Sequence, residues 1–294
     1  MNLDFNLKIY GKCIIAGEHA VIRGSPALVV PVKEKYLEIS HLNTTDEFKV
    51  DFDGLMKDDL SLVFFGVLEK ALKVVGKKNS ELRGELRLHN TVPVGAGLGA
   101  SATLCVAVGR FLEHLGWVNN QNLYEFCRQL ENLFHGESSG VDIASTLAGE
   151  PIEFQRPSQI TELHLNWKPK LYISYCGQRG MTAECVRLVK ELWTTKEQEA
   201  SKIDQDMKES VLLSKKALMS GEGEGLVDLI ESINKARSCF ERWGLTAGAL
   251  DNHMKKLTED GAIAVKPTGS GRGGYVISLW RQEPKSVDLI PIQF

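Results

Sequence analysis

The sequence lacks an excess of charge of one sign, paired cysteines and long apolar runs. Lys and Arg number 35 against 38 Asp and Glu, a formal net charge of −3. That is too even for the basic footprint of a nucleic-acid binder, and the densest basic run, Lys255-Lys256, reads as a solvated helix face. The cysteines, Cys13, Cys105, Cys127, Cys176, Cys185 and Cys239, form no Cys-x-x-Cys pair and have few histidines near them. This argues against a zinc site or a disulfide framework, and for buried reduced thiols in a cytoplasmic protein. No stretch approaches the roughly 18 apolar residues of a membrane-crossing helix. Asp4 and Lys8 interrupt the short apolar N-terminal stretch, which has neither the basic start nor the apolar core of a secretion signal. Internal repeats and low-complexity segments are also missing.

What remains is the composition of an ordinary globular enzyme, 43% hydrophobic and 25% charged over 294 residues, a length for one large or two moderate domains. Alternating or short apolar runs predict strands over 7–15, 26–32, 36–40, 48–52 and 82–90. Helical spacing predicts a helix over 60–75, capped by Asp59 or Ser61, and helices over 101–115 and 121–134. After Pro151 the pattern restarts, with a strand over 171–175, helices over 182–193, 198–219, 226–243 and 246–260, and strands over 262–265 and 275–280. Strands concentrate before residue 155 and helices after it. The expected architecture is α+β in two parts, 1–164 and 165–294.

Two glycine-rich segments carry chemical information. In Pro93-Val94-Gly95-Ala96-Gly97-Leu98-Gly99-Ala100-Ser101-Ala102 the glycines permit close backbone approach. The helix that follows offers its free N–H groups and positive dipole end to an anion. A tight strand–helix turn with no ligand is the plainer alternative. The segment ends without the Gly-Lys-Ser/Thr of a P-loop and departs from the dinucleotide fingerprint. Gly269-Ser270-Gly271-Arg272-Gly273-Gly274 does match G-x-G-x-x-G. However, a strand follows it rather than a helix, and too little chain remains for a protein kinase's catalytic loop.

Taken together, four segments resemble the galacto/homoserine/mevalonate/phosphomevalonate (GHMP) kinase superfamily. Residues 93–102 match its P-x-G-x-G-L-G-S-S-A motif except for Ala100. Gly11-Lys12-Cys13-Ile14-Ile15-Ala16-Gly17-Glu18-His19-Ala20-Val21, followed by Gly24-Ser25-Pro26-Ala27, is similar to the first motif of its mevalonate kinases. Glu131 with His135-Gly136-Glu137-Ser138-Ser139-Gly140-Val141-Asp142 follows the internal E-x-x-x-H-G-x-P-S-G-x-D pattern. Lys266-Pro267-Thr268-Gly269-Ser270-Gly271-Arg272-Gly273-Gly274 follows the last motif, with Pro267 and Arg272 as departures.

The resemblance implies a two-domain α+β kinase fold with ATP and substrate in the interdomain cleft. It implies that Asp142 is the catalytic carboxylate and Lys12 its partner facing the transferring phosphoryl group. Ser101 and Glu131 become the Mg²⁺ ligands. Pro93, Gly95, Ala96, Gly97, Leu98, Gly99, Ala100 and Ser101 become the ATP phosphate cradle. Glu18 and His19 take the substrate side with Gly271 and Arg272, Arg272 reaching a phosphate unless it is a solvated turn residue. The chemistry agrees, because phosphoryl transfer needs positioning and charge neutralisation, and a hard Mg²⁺ takes few protein oxygens.

The implied reaction is ATP-dependent phosphorylation of a small alcohol, mevalonate first. Phosphomevalonate or another alcohol is the alternative, and a non-catalytic family member the more distant one. Ala20-Val21 stands where galactokinases carry Asp-Tyr after Glu-His, which disfavours a sugar. Neither nucleic acid nor membrane is an expected partner, and the sequence does not choose between a monomer and a homodimer.

Overall fold

A computed structural model describes residues 4–135, 138–285 and 288–294. The Gly136-Glu137 step of the internal motif lies outside the described residues. By contacts the chain forms two compact units. The first contains the residues up to Gly11, Lys33–Val94 and Gly99–Gly149; the second contains Lys12–Val32, Gly95–Leu98 and Glu150–Phe294. The expected division at residue 164 follows chain order, whereas these units interleave along the chain.

Strands β1 (Phe5–Ala16) and β2 (Ala27–Glu47) pair with each other, and each runs from one unit into the other. The two strands expected over 26–32 and 36–40 are one, because Lys33 to Lys35 keep extended backbone despite their charge. In the first unit β2 pairs antiparallel with β4 (Arg83–Asn90), Ile39 opposite Leu88, and β4 pairs parallel with β3 (Lys49–Gly54). Along β4 Leu86 and Leu88 turn inward while Arg83 and Arg87 turn outward, the period of a sheet with one buried face.

Helix α1 (Lys57–Val75) lays Leu60, Phe64, Val67, Leu68 and Ala71 on the core. It begins before the expected caps. Met56 holds the cap position without a side-chain bond, Asp58 and Asp59 sit in the first turn, and Ser61 Oγ donates to the Asp58 carbonyl. Helices α2 (Ala100–His114), α3 (Leu123–His135) and α4 (Val141–Ala148) pack on one another and share Phe111, Leu130 and Ile143 with that core. Helix α4 was not expected from the sequence.

In the second unit the start of β2 pairs with β5 (Ile152–Gln155), which pairs with β6 (Gln159–Glu162). An antiparallel sheet follows, β10-β7-β9-β8, from β7 (Lys170–Tyr175), β8 (Ala264–Pro267), β9 (Tyr275–Trp280) and β10 (Ile290–Pro291). Strands β7, β8 and β9 fall within two residues of those expected over 171–175, 262–265 and 275–280, whereas β6 and β10 were not expected. Pro267 is accommodated because β8 is an edge strand and Pro267 stands opposite Val276, while the next residue, Thr268, donates its N–H to Tyr275. The proline nitrogen points away from the ladder, where no donor is needed.

Helices α5 (Thr182–Thr195), α6 (Glu197–Met219), α7 (Glu222–Arg242) and α8 (Ala249–Glu259) complete the unit. Between α6 and α7 the buried hydroxyls of Ser210, Ser214 and Ser232 bond to one another. All six cysteines are free and all but Cys176 are buried. Burial pushes the Cys13 thiol up to about 12, so it stays protonated and inert. Among the described residues no helix is long and apolar enough to cross a membrane.

Candidate active site

In the second unit the first and last motifs are joined through buried side chains. Lys12 is buried on β1, and its backbone N–H donates to Leu98 in the glycine-rich loop at 3.0 Å. Two residues on, Ile14 accepts from Lys266 Nζ at 3.1 Å and exchanges bonds with Thr268 Oγ1 at 2.9 and 3.2 Å. Lys266 is 0% exposed, reaches Glu18 Oε1 at 2.5 Å and holds its ammonium 5.4 Å from the Phe240 ring. Glu18 is 2% exposed, and its second oxygen, Oε2, has no hydrogen-bond partner among the described residues. Burial lifts the Glu18 carboxyl above the usual carboxylate range, and Lys266 pulls it part of the way back. Lys266 was read from the sequence only as a motif letter. A lysine at the end of a short apolar run was the available signal, and nothing local pointed to its partner 248 positions earlier.

His19, 8% exposed, has φ 58° at the start of the short Ala20–Arg23 turn. Its Nε2 lies 2.9 Å from the Ser270 carbonyl, and its ring packs edge-on against Trp243 and Phe240. A carbonyl can only accept, so Nε2 carries the proton and Nδ1 is left as an acceptor. Burial depresses the pKa to about 4, so the ring is neutral at neutral pH. The turn is tied down by Arg23, which forks onto Asp204 of α6 at 2.5 and 2.7 Å, the bidentate geometry that holds direction as well as charge.

The two glycine-rich loops meet backbone to backbone. A Cβ on Gly97 would come within 3.1 Å of the Thr268 carbonyl, and one on Gly274 within 2.7 Å of the Ala96 carbonyl. These glycines are required by the loop crossing itself. Gly95 differs: it is exposed, and a Cβ there would meet only Arg179 Cδ, at 3.8 Å. Gly271 packs under Leu245 and Phe240. Arg272, at φ 55°, directs its guanidinium to Glu184 at 2.6 Å and to the Gly244 carbonyl at 3.3 Å. It therefore spans from the loop to the start of α5 and the turn after α7.

Ser101, Glu131 and Asp142 all belong to the first unit. Ser101 stands in the first turn of α2, whose cap residue Gly99 makes no side-chain bond and whose first turn holds no acidic residue. Such a start suits an anion; Ala100 is its first residue, and Pro93 precedes the loop that leads into it. Glu131, buried near the end of α3, accepts from the Ser138 hydroxyl. Ser138 Oγ in turn accepts from the Gly140 N–H at 3.0 Å, and the Ser138 N–H donates to Asn132 Oδ1. Gly140, at φ 83°, caps α4, and a Cβ there would fall 2.2 Å from Tyr124 Oη. Asp142 follows in the first turn of α4, so Glu131 and Asp142 are linked through Ser138 and the Gly140 backbone. The motif alone assigns Ser138 no role.

One hydroxyl and one buried carboxylate form the donor set of a hard cation such as Mg²⁺. No group of three or more His, Cys, Asp or Glu able to hold a metal occurs among the described residues. The Ser101 hydroxyl and the Glu131 carboxylate are oxygens of the type a hard cation takes when phosphate and water complete its shell.

Comparison with known proteins agrees with this frame. A GHMP kinases N terminal domain profile matches residues 65–150. The mevalonate kinase of Pyrococcus horikoshii is 24% identical over 91% of this chain and 86% of its own length. L. major mevalonate kinase in complex with R-mevalonate superposes with a TM-score of 0.78 at 20% identity, covering 95% of this chain and 88% of that one. Streptococcus pneumoniae phosphomevalonate kinase in complex with phosphomevalonate and AMPPNP gives 0.71 at 19% identity, covering 95% and 93%. The fold is the mixed α/β fold of these kinases.

Proposed function

We propose, since the chain belongs to the GHMP kinase superfamily and is most like its mevalonate kinases, that it transfers the γ-phosphoryl group of ATP to the 5-hydroxyl of mevalonate. The observation that carries this reading is the extent of the likeness. Curated mevalonate kinases align with more than nine tenths of the chain. In this reading Asp142 orients the attacking hydroxyl and takes its proton, and Lys12 neutralises charge on the phosphoryl oxygens. The uncapped start of α2 and the exposed Gly95 backbone receive the phosphate chain. Ser101 and Glu131 hold Mg²⁺, which supplies charge neutralisation to that chain. Glu18 Oε2 and His19 Nδ1 accept hydrogen bonds from the alcohol. His19 is neutral, so the cation facing the substrate carboxylate is another residue.

Phosphomevalonate is the second reading, favoured by the likeness to the phosphomevalonate kinase and by the cation Arg272 in the last loop. A coupled ADP-release assay over mevalonate, phosphomevalonate, homoserine and galactose tests both. Mevalonate is expected to give the highest kcat/KM, with Asp142→Asn at least about 10²-fold slower and still folded. A higher kcat/KM for phosphomevalonate transfers the reading to that acceptor.

A further inference from the structure

The internal motif has a proline at the position where this chain has Ser138, and the serine makes bonds that a proline could not. Its backbone N–H donates to Asn132 Oδ1 at 3.0 Å, which ties it to the last turn of α3. Its hydroxyl, on a residue only 5% exposed, reaches the Glu131 carboxylate, itself buried. Proline has neither the N–H nor the hydroxyl. The next residue, Ser139, makes only the local contact usual for serine in a turn, accepting from the Val141 N–H at 3.4 Å. Ser138 makes the same local bond, from the Gly140 N–H at 3.0 Å, and adds the reach to Glu131.

The direction of these bonds follows from their chemistry. An N–H can only donate, so Ser138 Oγ gives a lone pair to Gly140. An ionised carboxylate can only accept, so the hydroxyl proton lies toward Glu131 Oε2. A hydrogen bond to a charged oxygen is stronger than a neutral one. Holding Oε2 stops the carboxylate turning about its last bond, and the direction of Oε1 is then set as well. Donors to metal-ligating groups act in this way. They orient the ligand, and their loss typically costs roughly 10–100-fold in metal affinity.

We propose, resting on the kinase reading above in which Glu131 holds Mg²⁺, that Ser138 is a positioning residue for that cation: its hydroxyl fixes the aim of the Glu131 carboxylate and so sets the affinity for Mg²⁺. Ser138 acts through Glu131. Its own orientation is fixed from two sides, by Asn132 on α3 and by the N–H of Gly140, the cap of α4. The same residue that aims the metal-holding carboxylate thereby joins the end of α3 to the start of the helix that carries Asp142. A chain with proline here would have to orient its carboxylate by other means.

Calorimetric titration of AMPPNP into the full chain, at stepped free Mg²⁺ and in EDTA, tests the proposal without turnover, with far-UV circular dichroism checking that each variant is folded. The wild type is expected to bind AMPPNP more tightly as Mg²⁺ rises. Ser138→Ala is expected to need roughly 10–100-fold more Mg²⁺ for half of that gain, with its affinity in EDTA unchanged. Ser138→Thr, which keeps the hydroxyl, is expected to stay near the wild type. Ser138→Cys, whose thiol is a weak donor, is expected to fall between, and it is read in place of Ser138→Ala if the alanine variant does not fold. An unchanged Mg²⁺ requirement overturns the proposal, as does a loss of affinity equal with and without Mg²⁺, the mark of a merely structural role. A wild type that binds AMPPNP no better with Mg²⁺ than in EDTA overturns the metal site of the kinase reading and the proposal together. A Mg²⁺-dependent wild type with unshifted variants overturns the proposal alone.

Discussion

Lys266 and Glu18 form a pair that neither can leave without consequence. Removing one partner of a buried ion pair leaves the other charge without compensation, typically about 3–5 kcal/mol. Lys266→Met is therefore expected to lower the unfolding free energy by about that amount and to raise the Glu18 pKa further, because its main compensating cation is gone and only the weaker pull of Lys12 remains. With Glu18 protonated, the carboxyl offers the alcohol a neutral oxygen or an O–H donor in place of a charged acceptor, so kcat/KM falls as well. Glu18→Gln/Lys266→Met is expected to recover most of the stability and none of the activity, a coupling that a double-mutant cycle reads directly. Additive stability losses would show that the pair is not a unit. The sequence exposed Glu18, His19 and Lys12 through their motif, because motif residues are local in the chain. The Lys266–Glu18 contact was not legible, because a partner 248 positions away leaves no periodic or spacing signal.

At the scale of elements, the site residues depend on how α2, α3 and α4 begin and end. Helix α4 is only eight residues long and bounded by Gly140 and Gly149, so its sequence reads as a glycine cluster with no room for a helical period. The short β5, β6 and β10 escaped for the same reason, whereas the longer α2, α3 and α6 were legible within a few residues. The α3-to-α4 connection matters most, since Ser138 ties Glu131 to the backbone that caps the helix carrying Asp142. Glu131→Gln keeps the shape and one acceptor oxygen but removes the charge a hard cation needs. The variant is expected to require several-fold more Mg²⁺ for half-maximal rate while the KM for the alcohol moves little. An unchanged Mg²⁺ titration removes Glu131 from the metal site, and an equal rise in both constants points to a displaced Asp142.

For the whole molecule, the titrating group near neutrality on which burial weighs most is His19. His19 is lowered to about 4, and His114 in the first unit and His253 in the second are also lowered, each mainly by desolvation. For a group whose folded pKa lies below its unfolded value, the unfolded chain binds the proton first as pH falls. Its contribution to stability is present above about 6.5 and is lost on the way down to the folded pKa. For His19 that window runs from about 6.5 to about 4 and amounts to roughly 3 kcal/mol over its full width. Both units carry such a group, so acidification weakens each of them. Urea unfolding at pH 7 and pH 5 is expected to show a lower midpoint at pH 5. His19→Gln, whose amide can still donate to the Ser270 carbonyl, is expected to lose much of that difference while keeping its midpoint at pH 7 within a modest change. A pH dependence in the variant as steep as the wild type's would mean that the His19 ring takes up its proton in the folded state as readily as in the unfolded one. The acceptor role assigned to Nδ1 would then fail with it, since a doubly protonated ring has no lone pair to offer an alcohol.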